Sequence, residues 1–208
     1  MAYPQAIARL LTELEKLPGV GPRTAERLAH HLLQVGDTAR ELAKAIEDAV
    51  ATIHPCSACQ NLSESDPCPI CVDPGRDQRR ILVVEQSRDV EAMERAGWKG
   101  VYHVLHGSVK ADGRRGAELT LDALRRRVER GAIDELILGT DPDFEGDGTA
   151  LLVASLAEQS RVGSGRPLVV SRLARGVPTG SAIEYTNPAV LAEALSERRE
   201  LPRSGGAA

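Results

Sequence analysis

Ile81-Leu82-Val83-Val84-Glu85 opens a region of the 208-residue chain in which short apolar strands alternate with helices. The segment is apolar at every position up to its terminal carboxylate, as expected of a strand buried on both faces. Val101-Tyr102-His103-Val104-Leu105, Glu135-Leu136-Ile137-Leu138-Gly139 and Pro167-Leu168-Val169-Val170-Ser171 repeat the pattern. Helical periodicity falls between and after them, over residues 88–96, 119–130, 150–159 and 188–197. Strands separated by crossover helices predict a parallel α/β sheet covered on both sides. Residues 112–116 and 163–166 read as loops, and residues 201–208 as a disordered tail.

Upstream, residues 4–53 carry a helical pattern, with Ile7, Leu10, Leu11 and Leu14 on one stripe and Leu28, Leu32, Leu42 and Ile46 on later turns. Pro18-Gly19-Val20-Gly21-Pro22 interrupts it, and a third helix is expected over residues 39–53. At this corner Gly19 and Gly21 let a phosphate approach the backbone without a Cβ in the way. Amides there and in the turn after Pro22, as far as Thr24, face outward at a helix N-terminus, which suits an anion. Arg23 and Arg27 lie one turn apart on the same face. With both prolines and the flanking Leu17 and Leu28, the string resembles a helix-hairpin-helix motif, and Gly19, Gly21, Arg23, Thr24 and Arg27 are the DNA-binding candidates.

Between these regions, Cys56-Ser57-Ala58-Cys59 and Cys68-Pro69-Ile70-Cys71 form two Cys-x-x-Cys knuckles. Their spacing lets four thiolates close on one tetrahedral zinc with no position left for a catalytic water, so the zinc is expected to be structural. Residues 54–80 have too few apolar side chains to fold by burial. His54 reads as a neighbour of the site rather than a ligand, since four ligands are already present. Redox use would call for a single pair on a βαβ frame.

Glu85 ends the first strand of the sheet, and Asp141-Pro142-Asp143-Phe144-Glu145-Gly146-Asp147 follows the third. Sites in open parallel sheets form beyond the carboxyl ends of strands, so these acids are expected to converge and to need a cation or a basic partner. No Lys or Arg occurs between Asp134 and Glu158, so the loop is expected to offer only negative charge. A strand-end glutamate with Asp-x-Asp on another strand resembles the magnesium-binding Toprim domain, and Thr140 to Gly146 is similar to its type IA topoisomerase form.

The three motifs in this order resemble the RecR family of bacterial recombination mediators. Leu17 to Pro22, Tyr102-His103-Val104-Leu105-His106-Gly107 and Arg172-Leu173-Ala174-Arg175-Gly176-Val177-Pro178 add to the likeness, which extends over nearly the whole chain. The fold expected is a multi-part α+β chain: a helix-hairpin-helix DNA-binding part over 1–53, a four-cysteine zinc finger over 54–78, a Toprim domain over 79–174, and a C-terminal oligomerisation segment with its tail over 175–208. The resemblance implies a non-enzymatic, ring-like tetrameric clamp on DNA. Such a clamp acts with RecO and RecF to load RecA onto strands coated by single-strand-binding protein. It implies Cys56, Cys59, Cys68 and Cys71 as zinc ligands, and an acidic surface including Glu85 and Glu145 for RecO. Two features depart from the family. The loop between residues 110 and 118 is short, and Asp141 and Asp143 are both acids where the family commonly has Asn or Thr. The second makes weak Mg2+ binding at Glu85, Asp141, Asp143 and Glu145 an expectation here, and a metal-dependent Toprim nuclease the alternative reading.

Composition narrows the rest. A net charge of −4 excludes coating of nucleic acid by bulk charge, and 2% aromatic residues exclude an aromatic stacking platform. Neither a secretory leader nor a membrane span is evident, so a cytoplasmic, nucleoid-associated protein is expected. No Gly-x-x-x-x-Gly-Lys-Ser/Thr loop supports an ATPase. Tyr3, Tyr102 and Tyr185, without a second large domain, are a poor basis for a topoisomerase. Arg125-Arg126-Arg127 with Arg130 point several ways around a helix, the pattern of a solvated face.

Overall fold

A computed structural model describes residues 3–110, 120–130, 133–164 and 168–198, the last four of residues 133–164 as backbone only. The segment 111–119, with the short loop expected there, and the tail 201–208 lie outside the described residues. The chain divides into two compact units, Met1–Ile53 and His54–Ala208.

The first unit is three helices: α1 (Gln5–Glu15), α2 (Pro22–Gln34) and α3 (Gly36–Thr52). Its only buried side chains in these helices are Ala25 and Ala29 of α2, whose small size lets helix backbones come close. α3 begins before residue 39, where the sequence pattern puts it, because Asp37 sits in the first turn against the positive helix end and pairs with Arg40 at 2.7 Å.

The second unit starts with two short antiparallel strands, β1 (His54–Pro55) and β2 (Leu62–Ser63), and a single helical turn, α4 (Pro69–Val72). The α/β part then runs β3 (Asp77–Val84), α5 (Ser87–Arg95), β4 (Gly100–Val104), α6 (Leu121–Arg130), β5 (Glu135–Gly139), α7 (Phe144–Ser164) and β6 (Val169–Arg172). α8 (Pro188–Ser196) follows a short 3-10 turn. Four strands form a parallel sheet in the order β4-β3-β5-β6, with Val84 level with Val104 on one side and Gly139 on the other. The alternation that a two-sided strand requires is visible in the core. Ile81, Val83, Leu136 and Leu138 pack with Leu124 and Val128 of α6 and Val153 and Ala157 of α7. Leu82, Val84, Tyr102 and Val104 pack with Val90 of α5 on the opposite face. Each fully buried aliphatic contributes roughly 2 kcal/mol.

The connection after β3 leads outward to β4 and the one after β5 leads outward to β6, so the ends of β3 and β5 flank the point where the chain's direction of winding reverses. Glu85 and Asp141 stand there. α7 is longer than the sequence pattern suggests at both ends. It starts at Phe144, so Glu145 and Asp147 belong to its first turn rather than to a loop, and it continues through 163–164. Asp143 fixes the start by accepting the Gly146 amide at 2.8 Å, and acids in a first turn are favoured by the helix dipole.

Candidate metal centre and nucleic-acid interface

The four cysteines are brought together by two tight local turns. Gln60, at φ 64°, turns the first knuckle back so that the Cys56 amide donates to Asn61 O at 2.8 Å and the Gln60 amide to Cys56 O at 2.9 Å. Cys68 precedes Pro69 at the start of α4, and the Cys71 amide donates to Cys68 O at 3.0 Å. All four sulfurs lie within 4.8 Å of one another. Cys56 Sγ is 3.9 Å from Cys71 Sγ, and Cys59 Sγ is 3.5 Å from Cys68 Sγ. A tetrahedron with zinc–sulfur bonds of about 2.3 Å has edges of about 3.8 Å, so the sulfurs stand where zinc needs them.

The local electrostatics agree with that assignment. Burial works to raise the Cys56 thiol, but amides donated from Cys68, Cys59 and Ala58 outweigh it and bring the group down to about 7. The Cys68 amide reaches Cys56 Sγ at 3.2 Å. Cys59 is pushed upward by the Cys71 thiol and by burial, and Cys68 rises to about 11, chiefly through burial. A divalent cation at the centre relieves that crowding by favouring thiolates. His54 is exposed on β1 and is not among the gathered ligands.

The module also closes a sheet edge. β4 is an outer strand, and its Val104 amide donates to Cys59 O at 2.8 Å. His106 Nε2 faces Gln60 O at 2.6 Å and so must carry the proton, while Ile70 packs against both the cysteines and the Val90 face of the sheet. An open edge is thereby covered.

At the carboxyl ends of β3 and β5, Glu85 is almost wholly buried, and one of its oxygens accepts the Asp141 amide at 3.4 Å. Burial first, and then the charges of Asp141, Asp143 and Asp89, push its carboxyl up to about 7. The remaining acids are drawn elsewhere. Glu145 accepts from Ser108 Oγ at 3.1 Å and pairs with Lys110 at 3.3 Å. Asp147 takes the guanidinium groups of both Arg172 and Arg175, and Arg175 also reaches Glu193 at 3.4 Å. The expected purely negative loop is therefore corrected: Lys110, Arg172 and Arg175, distant in sequence, bring positive charge to it. Among the described residues, no three carboxylates gather as the four thiols do. Gly146 is indispensable here, because a Cβ would stand 2.0 Å from Asp141 O.

In the first unit α1 and α2 meet at the expected hairpin, with one correction: the Thr24 amide does not face outward but donates to Gly21 O at 3.0 Å. Gly19 adopts φ 79°, which favours glycine, whereas Gly21 is extended at φ −87° and serves by leaving open space before Pro22. The amides of Thr24 and Ala25 fold back onto Gly21 O, while those of Gly19, Gly21 and Arg23 have no recorded acceptor among the described residues. Arg23 and Arg27 are exposed on α2, with no ion pair recorded among the described residues, and Thr24 is half-buried behind them.

A helical hairpin unit, a four-cysteine zinc finger and a Toprim-type parallel sheet thus define a three-part protein of the kind that handles nucleic acid. Family models agree: the RecR helix-hairpin-helix model matches residues 7–50, the RecR zinc finger model, a domain with four cysteines, matches residues 53–73, and the Toprim domain model matches residues 79–174. Curated relatives named recombination protein RecR are similar over nearly their full length. The one from Anaeromyxobacter dehalogenans is 46% identical over 97% of this chain and 100% of its own. The one from Rhodopirellula baltica is 44% identical over 94% and 97%, and that from Carboxydothermus hydrogenoformans 43% over 97% and 100%. The chain belongs to the RecR family.

Sequence reasoning missed Ser108, Lys110, Arg172 and Arg175 as holders of the acids. Arg172 and Arg175 lie within the string that carried the family resemblance, but nothing local to them indicates Asp147 as their partner. No helix among the described residues is long and apolar enough to cross a membrane.

Proposed function

We propose that this protein is a non-enzymatic recombination mediator in DNA repair. It forms a ring-like clamp, a tetramer, on DNA and acts with RecO and RecF at the nucleoid to load RecA on strands coated by single-strand-binding protein. The parts are 1–53 for DNA, 54–78 for structural zinc, 79–174 as the Toprim domain, and 175–208 for assembly. The observation that carries the DNA reading is the hairpin, where Arg23 and Arg27 flank the amides of Gly19, Gly21 and Arg23, which have no acceptor among the described residues. That is a site for phosphate oxygens and not for base edges.

Assembly has support in apolar surface left uncovered. α3 buries none of its residues and exposes Leu42, Ile46 and Val50 at four-residue spacing. In the second unit Leu173, Val177, Ile183 and Leu195 are exposed, and Leu173 lines a cavity of about 780 Å3 with Tyr185 and Val190. Both are surfaces that monomers rarely leave open. The acids at the sheet switch point suit a basic partner, RecO in this reading. The alternative, a metal-dependent Toprim nuclease, draws on Glu85, Asp141 and Asp143. Against it, Asp143 is occupied as a helix cap, and Glu145 and Asp147 are occupied by Ser108, Lys110, Arg172 and Arg175.

The test is DNA binding across a salt titration by wild type and by Arg23→Ala with Arg27→Ala. Each lost phosphate contact should lower the log–log slope by about 1, equally for all sequences. A double variant with the wild-type slope and affinity would reduce the hairpin to a packing corner.

A further inference from the structure

α6 distributes its arginines unequally. Arg125 pairs with Asp122 at 3.5 Å, and Arg127 turns inward so that its guanidinium donates to the Tyr102 carbonyl. Arg126 and Arg130 are exposed, one turn apart, with no partner recorded among the described residues. They line a groove of about 490 Å3 between α6 and the first zinc knuckle, to which Arg79 of β3 also contributes. Arg79 is held from behind by Asp134, at 2.6 Å for one of the two contacts, which leaves the guanidinium fixed in place. Among the described residues the groove is lined by four arginines and no carboxylate, while the Gln60 and Gln78 side-chain amides at its wall donate to backbone carbonyls, Gln60 to Cys56 O at 3.1 Å and Gln78 to Cys71 O at 3.3 Å. Asp66, in the segment between the two knuckles, has an oxygen engaged by the Ser57 amide at 2.7 Å.

We infer that this groove is a second contact for the phosphodiester backbone of DNA, on the zinc and Toprim unit and separate from the hairpin. Two long guanidinium groups one turn apart, with bases roughly 6 Å from each other, reach neighbouring phosphates on a strand. A helix C-terminus favours one cation in its last turn, which accounts for Arg130 but not for Arg126 in the turn before. An acidic peptide would share the charge. However, among the described residues the apolar lining consists of Ala58, Ala123 and Ile133, with no aromatic pocket to bury an anchor, so a peptide would be held weakly. Backbone phosphate asks for nothing more than arginine forks.

The inference rests on the DNA-binding reading and is separable from the hairpin. Zinc-loaded full-length protein is titrated with labelled duplex and labelled single strand across a range of KCl. The proteins are wild type, Arg126→Gln with Arg130→Gln, Arg126→Lys with Arg130→Lys, Gln78→Glu, and Arg23→Ala with Arg27→Ala. The glutamine pair should lower the duplex slope by about 2 with an unchanged melting temperature, while the lysine pair keeps the wild-type slope. Gln78→Glu, which places a charge in the groove at the loss of the Gln78 Nε2 bond to Cys71 O, should weaken binding on the order of threefold, one repulsive contact at moderate salt, with zinc content checked to be that of the wild type. A slope lost in the groove variants with the hairpin variant intact would keep this site and remove the hairpin. Wild-type slopes in both the glutamine pair and Gln78→Glu, with the hairpin variant impaired, would overturn the groove. A wild type that binds no DNA, or a glutamine pair that keeps the wild-type slope on DNA and loses only a labelled polyglutamate peptide titrated in parallel, would overturn it as well.

Discussion

The four thiols and the strand-end acids are both clusters of groups that repel one another when charged, and the structure resolves them in opposite ways. The thiols converge: their sulfurs approach to 3.5 and 3.9 Å, the spacing of one shared zinc. Four of the five acids find donors of their own: Glu85 takes the Asp141 amide, Asp143 caps α7, Glu145 takes Ser108 and Lys110, and Asp147 takes two arginines. The difference lies in the backbone. Two Cys-x-x-Cys turns aim four sulfurs at one point, with backbone amides that favour the thiolate of Cys56, whereas a carboxylate at a helix start has amides and arginines of its own within reach.

The largest effect should therefore come from the thiols. Cys68→Ser is expected to lose the zinc and destabilise the second unit by on the order of 5 kcal/mol, since metal binding here is folding energy. The loss should extend to the sheet, because Cys59 O holds the edge of β4 through the Val104 amide. Metal analysis together with thermal unfolding reads both. A variant that folds and melts like wild type without zinc would show that burial of Ile70 alone holds the module.

These two clusters were not equally legible in the sequence. Cysteine spacing is local, so the zinc set can be read from residues 56–71 alone. The sheet was legible for a similar reason: uniformly apolar runs such as 81–84 admit one reading, and β5 lies where the pattern placed it. The fate of the acids was not legible, because Lys110, Arg172 and Arg175 reach them only through the order of strands in space. The same holds for Arg126 and Arg130. Three consecutive arginines look alike in sequence, and only the packing of α6 tells which of them is turned inward and which remain available.

Glu85 offers the next test. Its carboxyl ordinarily titrates near 4.5 and is pushed to about 7 in the fold, so between those values the folded protein holds a proton that the unfolded chain has released. Stability conferred by that proton is present at low pH and is lost as pH rises through the interval. His103 acts in the other direction over a lower range. It is buried, its ring facing Thr120, and burial lowers it to about 3, so acidification towards and below its ordinary value near 6.5 favours unfolding. Comparing Glu85→Gln with wild type cancels the histidine. The variant should gain at most about 3 kcal/mol at pH 8 and close to nothing at pH 4. A pH-independent difference in melting would mean that Asp141 and Asp143 are already compensated by a bound partner or ion.

The smallest effect should be that of magnesium on the same acids. A Toprim enzyme uses its metals to polarise water or phosphate, which requires several carboxylates to hold them. Here Glu85, Asp141 and Asp143 do not gather with the spacing of a metal set, and Asp143 is already occupied by the Gly146 amide. An ion is then left with two carboxylates and water, and its affinity should lie near the millimolar range. At about 10 mM Mg2+ and a Kd of about 10 mM, one such site stabilises the fold by roughly 0.4 kcal/mol, a shift in melting of a degree or two. Glu85→Gln with Asp141→Asn should abolish even that. Neither protein should nick supercoiled DNA or degrade single strands in magnesium or manganese, since the three cations near the acids already hold Glu145 and Asp147 and do not stand free for a scissile phosphate. A large magnesium-dependent rise in melting, or nicking by the wild type that the double variant loses, would mean that the acids close on metal when DNA is present. The contrast between converging thiols and dispersed acids would then hold only for the free protein.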